Sequence, residues 1–118
     1  QDEMFVVYLF AYCMYKGKID TYRTSISFCT EVIFEDAATG SYTSPIFDSS
    51  NNKVVITYRD AGNSHYGTAI VGTVDSSDNS ISFGTEAVFN SASSALQDSA
   101  FDSSNNKVVI TYQAYAPP

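Results

Sequence analysis

The chain has 118 residues, the size of one ordinary domain. Hydrophobic residues make up 44% and charged ones only 16%, so the composition is globular and its polar surface rests on Ser, Thr, Asn and Tyr. Thirteen acidic against six basic side chains give a net charge of −7, which argues against nucleic acid and against an anionic membrane surface as partners.

The chain begins with an apolar stretch, Met4 to Tyr15, which lacks the basic leader and small-residue cleavage site of a signal peptide and reads as strand. No apolar run approaches the roughly 20 residues of a membrane-spanning helix, so no membrane insertion is expected. Cys13 and Cys29 are too few for a disulfide framework. They read as two buried thiols, with a single bridge as the alternative.

Repetition organises the rest. The block Ser25–Phe34 (SISFCTEVIF) returns as Ser80–Phe89 (SISFGTEAVF), starting at 25 and again at 80, an offset of 55. Phe47–Tyr58 (FDSSNNKVVITY) recurs without change as Phe101–Tyr112, starting at 47 and again at 101, an offset of 54. A twelve-residue identity does not arise by chance, so the chain is a tandem repeat. Gly17 and Asp20 match Gly72 and Asp75, and Phe5–Val7 aligns with Lys53–Val55 if the first loop is shortened.

The second copy shows one unit in full. Lys53–Tyr58 is β-branched and aromatic, as strands prefer. Arg59–His65 is turn chemistry, followed by a second strand over Tyr66–Val74. Asp75–Asn79 is a connection of hairpin length. Ile81, Phe83, Ala87 and Phe89 alternate along a third strand, with a bulge expected near Gly84. A fourth strand is predicted over Ala95–Phe101, and Asp102–Asn106 turns the chain into the next copy. No segment carries a 3.6-residue period. The expected fold is all-β, built of four-stranded antiparallel units that resemble propeller blades, nearest in length to the roughly 50-residue kelch class. Unit 1 covers about 4–47, unit 2 about 48–101, and an extra strand 102–113, all within one domain spanning 1–118. Val54, Ile56, Ile70, Ile81, Phe83, Phe89 and Phe101 are the expected core.

The phrases Phe47–Ile56 and Tyr66–Val74 (YGTAIVGTV) resemble a repeat abundant in marine microbial and phage-type sequences, usually long arrays of propeller-like, kelch-like or tail-fibre-like character. The resemblance covers about residues 19 to 113. It implies no enzyme activity and carries no catalytic motif, and it suggests an extracellular or virion-surface setting.

Slightly over two units cannot close a propeller of four to eight blades. Self-association into a ring is therefore expected, with a trimer giving six blades, and a longer array or a two-sheet sandwich as the other solutions.

Catalysis finds little support. His65 is the single histidine, no second His and no free Cys cluster support a zinc site, and no Gly-x-Ser-x-Gly elbow is present. The oxygen-rich loops Asp48–Asn52 and Asp102–Asn106 lack a calcium-loop pattern and read as turns whose side chains bond their own backbone. No metal and no cofactor is expected. Arg59, Asp60, Asn63, His65 and Tyr66 gather around one inter-strand loop, and that mixture of planar polar groups with an aromatic is suited to a sugar. The expected function is a non-catalytic binding or adhesion module, with carbohydrate as the ligand. The alternative is a purely structural segment of a fibre or virion appendage, and a glycoside hydrolase stands third.

Overall fold

The computed structural model describes residues 6–7, 30–35, 42–78 and 80–115. Cys13, Cys29, Gly17 and Asp20 lie outside them, as does most of the divergent first segment. The described residues form eight strands and no helix: β1 (Val6–Val7), β2 (Val32–Ile33), β3 (Ser44–Asp48), β4 (Lys53–Asp60), β5 (Tyr66–Asp75), β6 (Ser80–Phe83), β7 (Ala87–Asp102) and β8 (Lys107–Ala114). The all-β expectation holds.

All pairings are antiparallel. β1 pairs with β2, and the larger sheet runs β3-β4-β5-β7-β8 with β6 also on β5. β6 and β7 share β5 because of the bulge expected near Gly84. Gly72 pairs with Phe83 and Ala69 with Ala87, so four steps on one side oppose three on the other. Gly84 still donates its N–H to the Val71 carbonyl at 2.9 Å.

The fourth strand differs from expectation. Ala95–Phe101 does not close the meander of its own unit but continues β7 and pairs with β8, Phe101 opposite Val108. The chain leaves β5 through two register shifts and bends near Leu96, whose φ is 53°. The hydrogen-bonded four-strand meander is thus β3-β4-β5 with β6 and the first half of β7. The second half of β7 begins the next hairpin, as β3 begins this one. The start of the chain also differs. Val6↔Ile33 and Val7↔Val32 mirror Thr68↔Val88 and Ala69↔Ala87, so β1 takes the place of β5 in the first unit rather than that of Lys53–Val55.

Alternation along β4 sorts the core onto two faces. Val54, Ile56 and Tyr58 share one face with Ile70 of β5, and Phe34, just past β2, packs there with Phe83. On the other face Thr57 is buried and its hydroxyl meets that of Ser99 at 3.3 Å, which sets the second half of β7 over β4. Of the expected core, Ile56, Ile70 and Ile81 are buried and Val54, Phe83, Phe89 and Phe101 are half-buried.

The repeated turns have the same construction. Asp48 Oδ1 accepts from the N–H of Ser50 and Asn51, and Asp48 Oδ2 from the Asn51 amide at 2.8 Å. Asp102 does the same with Ser104 and Asn105. The Asn amide bonded to each carboxyl holds it below the usual carboxylate range. Asn52 and Asn106 close the two turns with φ of 53° and 54°, a conformation Asn tolerates. These are the self-bonded turns the sequence predicts.

Candidate functional site

A tyrosine lies at the centre of the candidate site. Tyr58 faces inward from the middle of the meander and is 0% exposed. Phe34 meets it edge-on, ring centroids 5.3 Å apart and planes at 69°. Its hydroxyl donates to Glu86 Oε2 at 2.7 Å and lies 3.3 Å from Glu35 Oε2. With one proton to give, the shorter bond to Glu86 takes most of it. Asp60, two residues on and so on the same face, is 3% exposed. Glu35, Asp60 and Glu86 each bring a carboxylate oxygen within 4.8 Å of the others. Burial, then the bond to Glu86 and the negative charges of Glu86, Glu35 and Asp60, push the Tyr58 hydroxyl far above its ordinary pKa of 10.0.

Beside this cluster lies an open cleft of about 580 Å³, lined by Ile33, Phe34, Glu35, Ile70, Gly84, Thr85 and Glu86. The bulge between β6 and β7 builds one wall, because its extra residue turns Thr85 and Glu86 out of the ladder. The lining combines apolar and aromatic side chains with two carboxylates, Glu35 and Glu86.

The five residues expected around the Arg59–Tyr66 loop divide. Asp60 joins the acid cluster, and its Oδ1 accepts the Asn63 N–H at 3.0 Å, tying the loop to that cluster. Tyr66 is half-buried and pairs with Asp60 across the hairpin, so it shares that face. Asn63 and His65 are exposed at the tip, where Ser64 and His65 have φ of 54° and 62°. The His65 carbonyl accepts the Ser94 N–H at 2.9 Å, so the backbone there helps to anchor β7. Arg59 alternates onto the opposite face, with Nε buried and no acceptor for it among the described residues. Arg59 is therefore not brought to the cleft.

Tyr58, Glu35, Glu86 and Phe34 were not singled out from the sequence. For two of the three clustered acids, Glu35 and Asp60, the repeat nevertheless carries a signal. At an offset of 55 Glu35 becomes Asn90, and at an offset of 54 Asp60 becomes Ala114, whereas Tyr58 is kept as Tyr112. Phe89 packs on Tyr112 at 5.1 Å much as Phe34 packs on Tyr58. The aromatic pair thus belongs to the scaffold common to both copies, and two of the acids belong to one copy only. No family model matches this chain, and neither a curated protein nor a solved structure matches it.

Proposed function

We propose that the chain is a non-catalytic binding module whose ligand is a carbohydrate, held in the cleft beside Tyr58. The observation that carries this reading is the difference between the copies. Glu35 and Asp60 are Asn90 and Ala114 in a second copy that keeps the Phe–Tyr pair and the Asp-led turn, so the scaffold does not require these acids. The placement of Glu35 and Glu86 in the lining suits a polyol. Carboxylates accept from hydroxyl groups, and the apolar wall of Ile33 and Phe34 takes the C–H face of a sugar ring.

Titration of the ¹⁵N-labelled chain with a panel of neutral and amino sugars, read by amide shifts, tests the proposal. Saturable shifts at Ile33–Glu35 and Thr85–Glu86 that leave the Lys107–Ala114 strand unmoved are expected. No shift with any sugar at tens of millimolar overturns it. Release of reducing ends from an oligosaccharide would replace it with the glycosidase reading.

A structural repeat segment of a fibre or virion appendage is the second reading. The exposed outer strand β8 supports it, since Val109 is 51% and Tyr112 42% exposed there.

A further inference from the structure

Tyr58 touches two residues of the cleft lining without belonging to it. Glu35 and Glu86 both line the cleft and come from separate segments, Glu35 just past β2 and Glu86 between the bulge at Gly84 and β7. The Tyr58 hydroxyl reaches both from inside the fold, at 2.7 Å from Glu86 Oε2 and 3.3 Å from Glu35 Oε2. The tyrosine is fully buried and does not line the cleft, so a ligand there does not meet it.

The phenol is a fixed point. Its backbone pairs with Thr68 of β5, and its ring belongs to the buried cluster of Phe34, Ile56 and Ile70. Glu86 is exposed, and a long side chain at such a position loses rotamer freedom only when something holds it. The shared hydroxyl holds it beside Glu35, with one carboxylate oxygen of each within 4.8 Å of the other's. Like charges this close repel, and a hydrogen bond from one donor to both sides offsets that repulsion. The second copy keeps the ring pair without this arrangement. Asn90, which stands where Glu35 stands, gives its amide to Ser94 Oγ at 2.7 Å within its own strand, while Phe89 still packs on Tyr112.

We infer that Tyr58 is a positioning residue for the cleft, spacing Glu35 and Glu86 so that together they accept from two hydroxyl groups on neighbouring carbons of one ring. The inference rests on the carbohydrate reading and narrows it to ligands with a free vicinal diol. An ionised carboxylate has about four acceptor sites, so a bond to Tyr58 leaves room on each acid for a ligand. Hydroxyls on neighbouring carbons lie close enough to reach both acids. Hydroxyls on opposite sides of a ring point away from each other, and only one of them can reach the pair while the C–H face rests on Ile33 and Phe34.

Amide-shift titrations of the full chain with trans-1,2-cyclohexanediol and its 1,4-isomer test this, because the probes have the same atoms and the same ring and differ in hydroxyl spacing. The vicinal isomer should bind about threefold or more tightly than the other, the worth of one hydrogen bond. In Tyr58→Phe the preference should fall to within about twofold, while Tyr112→Phe keeps it. Both probes are read on the same folded signals, so a loss of stability alone leaves the ratio unchanged. Where Tyr58→Phe does not fold, the parent supplies the readout: its Tyr58 hydroxyl proton, assigned through its own ring protons, should shift with the vicinal isomer and not with the other. Equal or absent binding of the two isomers, a preference that survives in Tyr58→Phe, or a hydroxyl proton that does not respond overturns the inference, and the carbohydrate reading stands if a sugar still binds. If no sugar binds, that reading falls and the inference falls with it.

Discussion

Phe34 meets Tyr58 with ring centroids 5.3 Å apart, and one repeat later Phe89 meets Tyr112 at 5.1 Å. The two pairs make the protein its own control, because the same contact exists once with a carboxylate on the phenol and once without.

The first prediction uses that control. Tyr58→Phe removes the hydroxyl bonded to Glu86 Oε2, and the chain should lose about 1.5 kcal/mol. Tyr112 is exposed and its hydroxyl has no partner among the described residues, so Tyr112→Phe should stay within about 0.5 kcal/mol. Urea midpoints of the two variants against the parent decide this. Equal losses would mean that the bond to Glu86 contributes nothing.

Alkaline titration gives the second. In the unfolded chain the Tyr58 hydroxyl ionises near 10.0, while in the folded chain burial and the surrounding acids hold its pKa far higher. Above pH 10 the folded state therefore keeps a proton that the unfolded state has lost. Its contribution to stability is complete below pH 10 and falls by about 1.4 kcal/mol per pH unit above it, until the folded phenol itself ionises. Stability measured from pH 9 to 11 should fall less steeply in Tyr58→Phe than in the parent. Parallel curves would count against it.

Close approach at Gly67 gives the third. A Cβ there would sit 2.5 Å from Phe89 Cε2 and 2.7 Å from Cζ, and the same ring is packed against Tyr112. The ring cannot move freely, so Gly67→Ala should cost about 1–3 kcal/mol through overpacking. At Gly84 a Cβ meets only the Val71 carbonyl oxygen at 3.7 Å, and Gly84→Ala should stay within about 0.5 kcal/mol. Thermal unfolding of both variants checks the contrast.

Much of the fold was legible because repetition and alternation are local properties of the chain. Lys53–Tyr58, Tyr66–Val74 and the Asp48 and Asp102 turns stand where their residues place them. The partner of a strand is not a local property. Ala95–Phe101 has good strand chemistry, but its pairing with β8 rather than within its own unit depends on the bend at Leu96, which sequence periodicity does not mark. The site was legible only in part for the same reason. Asp60 lies in a recognisable loop, yet Glu35 and Glu86 reach it from segments 25 and 26 residues away in sequence, through a tyrosine whose inward orientation follows from pairing on both edges of β4. Arg59 looked equivalent to Asp60 in the loop, and strand alternation separates the two onto opposite faces.

The fourth prediction lets the second copy choose the substitution. Asp60→Ala installs the residue that the repeat carries at Ala114. It removes one of three carboxylates lying within 4.8 Å of one another, which relieves like-charge repulsion, and it also removes the acceptor for the Asn63 N–H at 3.0 Å. These effects oppose each other, and the Asp60 carbonyl remains as a weaker acceptor for Asn63 at 3.3 Å. Stability should therefore change by no more than about 1 kcal/mol. Sugar binding should nevertheless weaken about tenfold, because one of the three clustered acids beside the cleft is gone. Amide-shift titrations of the variant, run beside urea unfolding, separate the two quantities. A variant that unfolds with the parent and binds sugar as tightly would remove Asp60 from the site and leave the cleft to Glu35 and Glu86 alone.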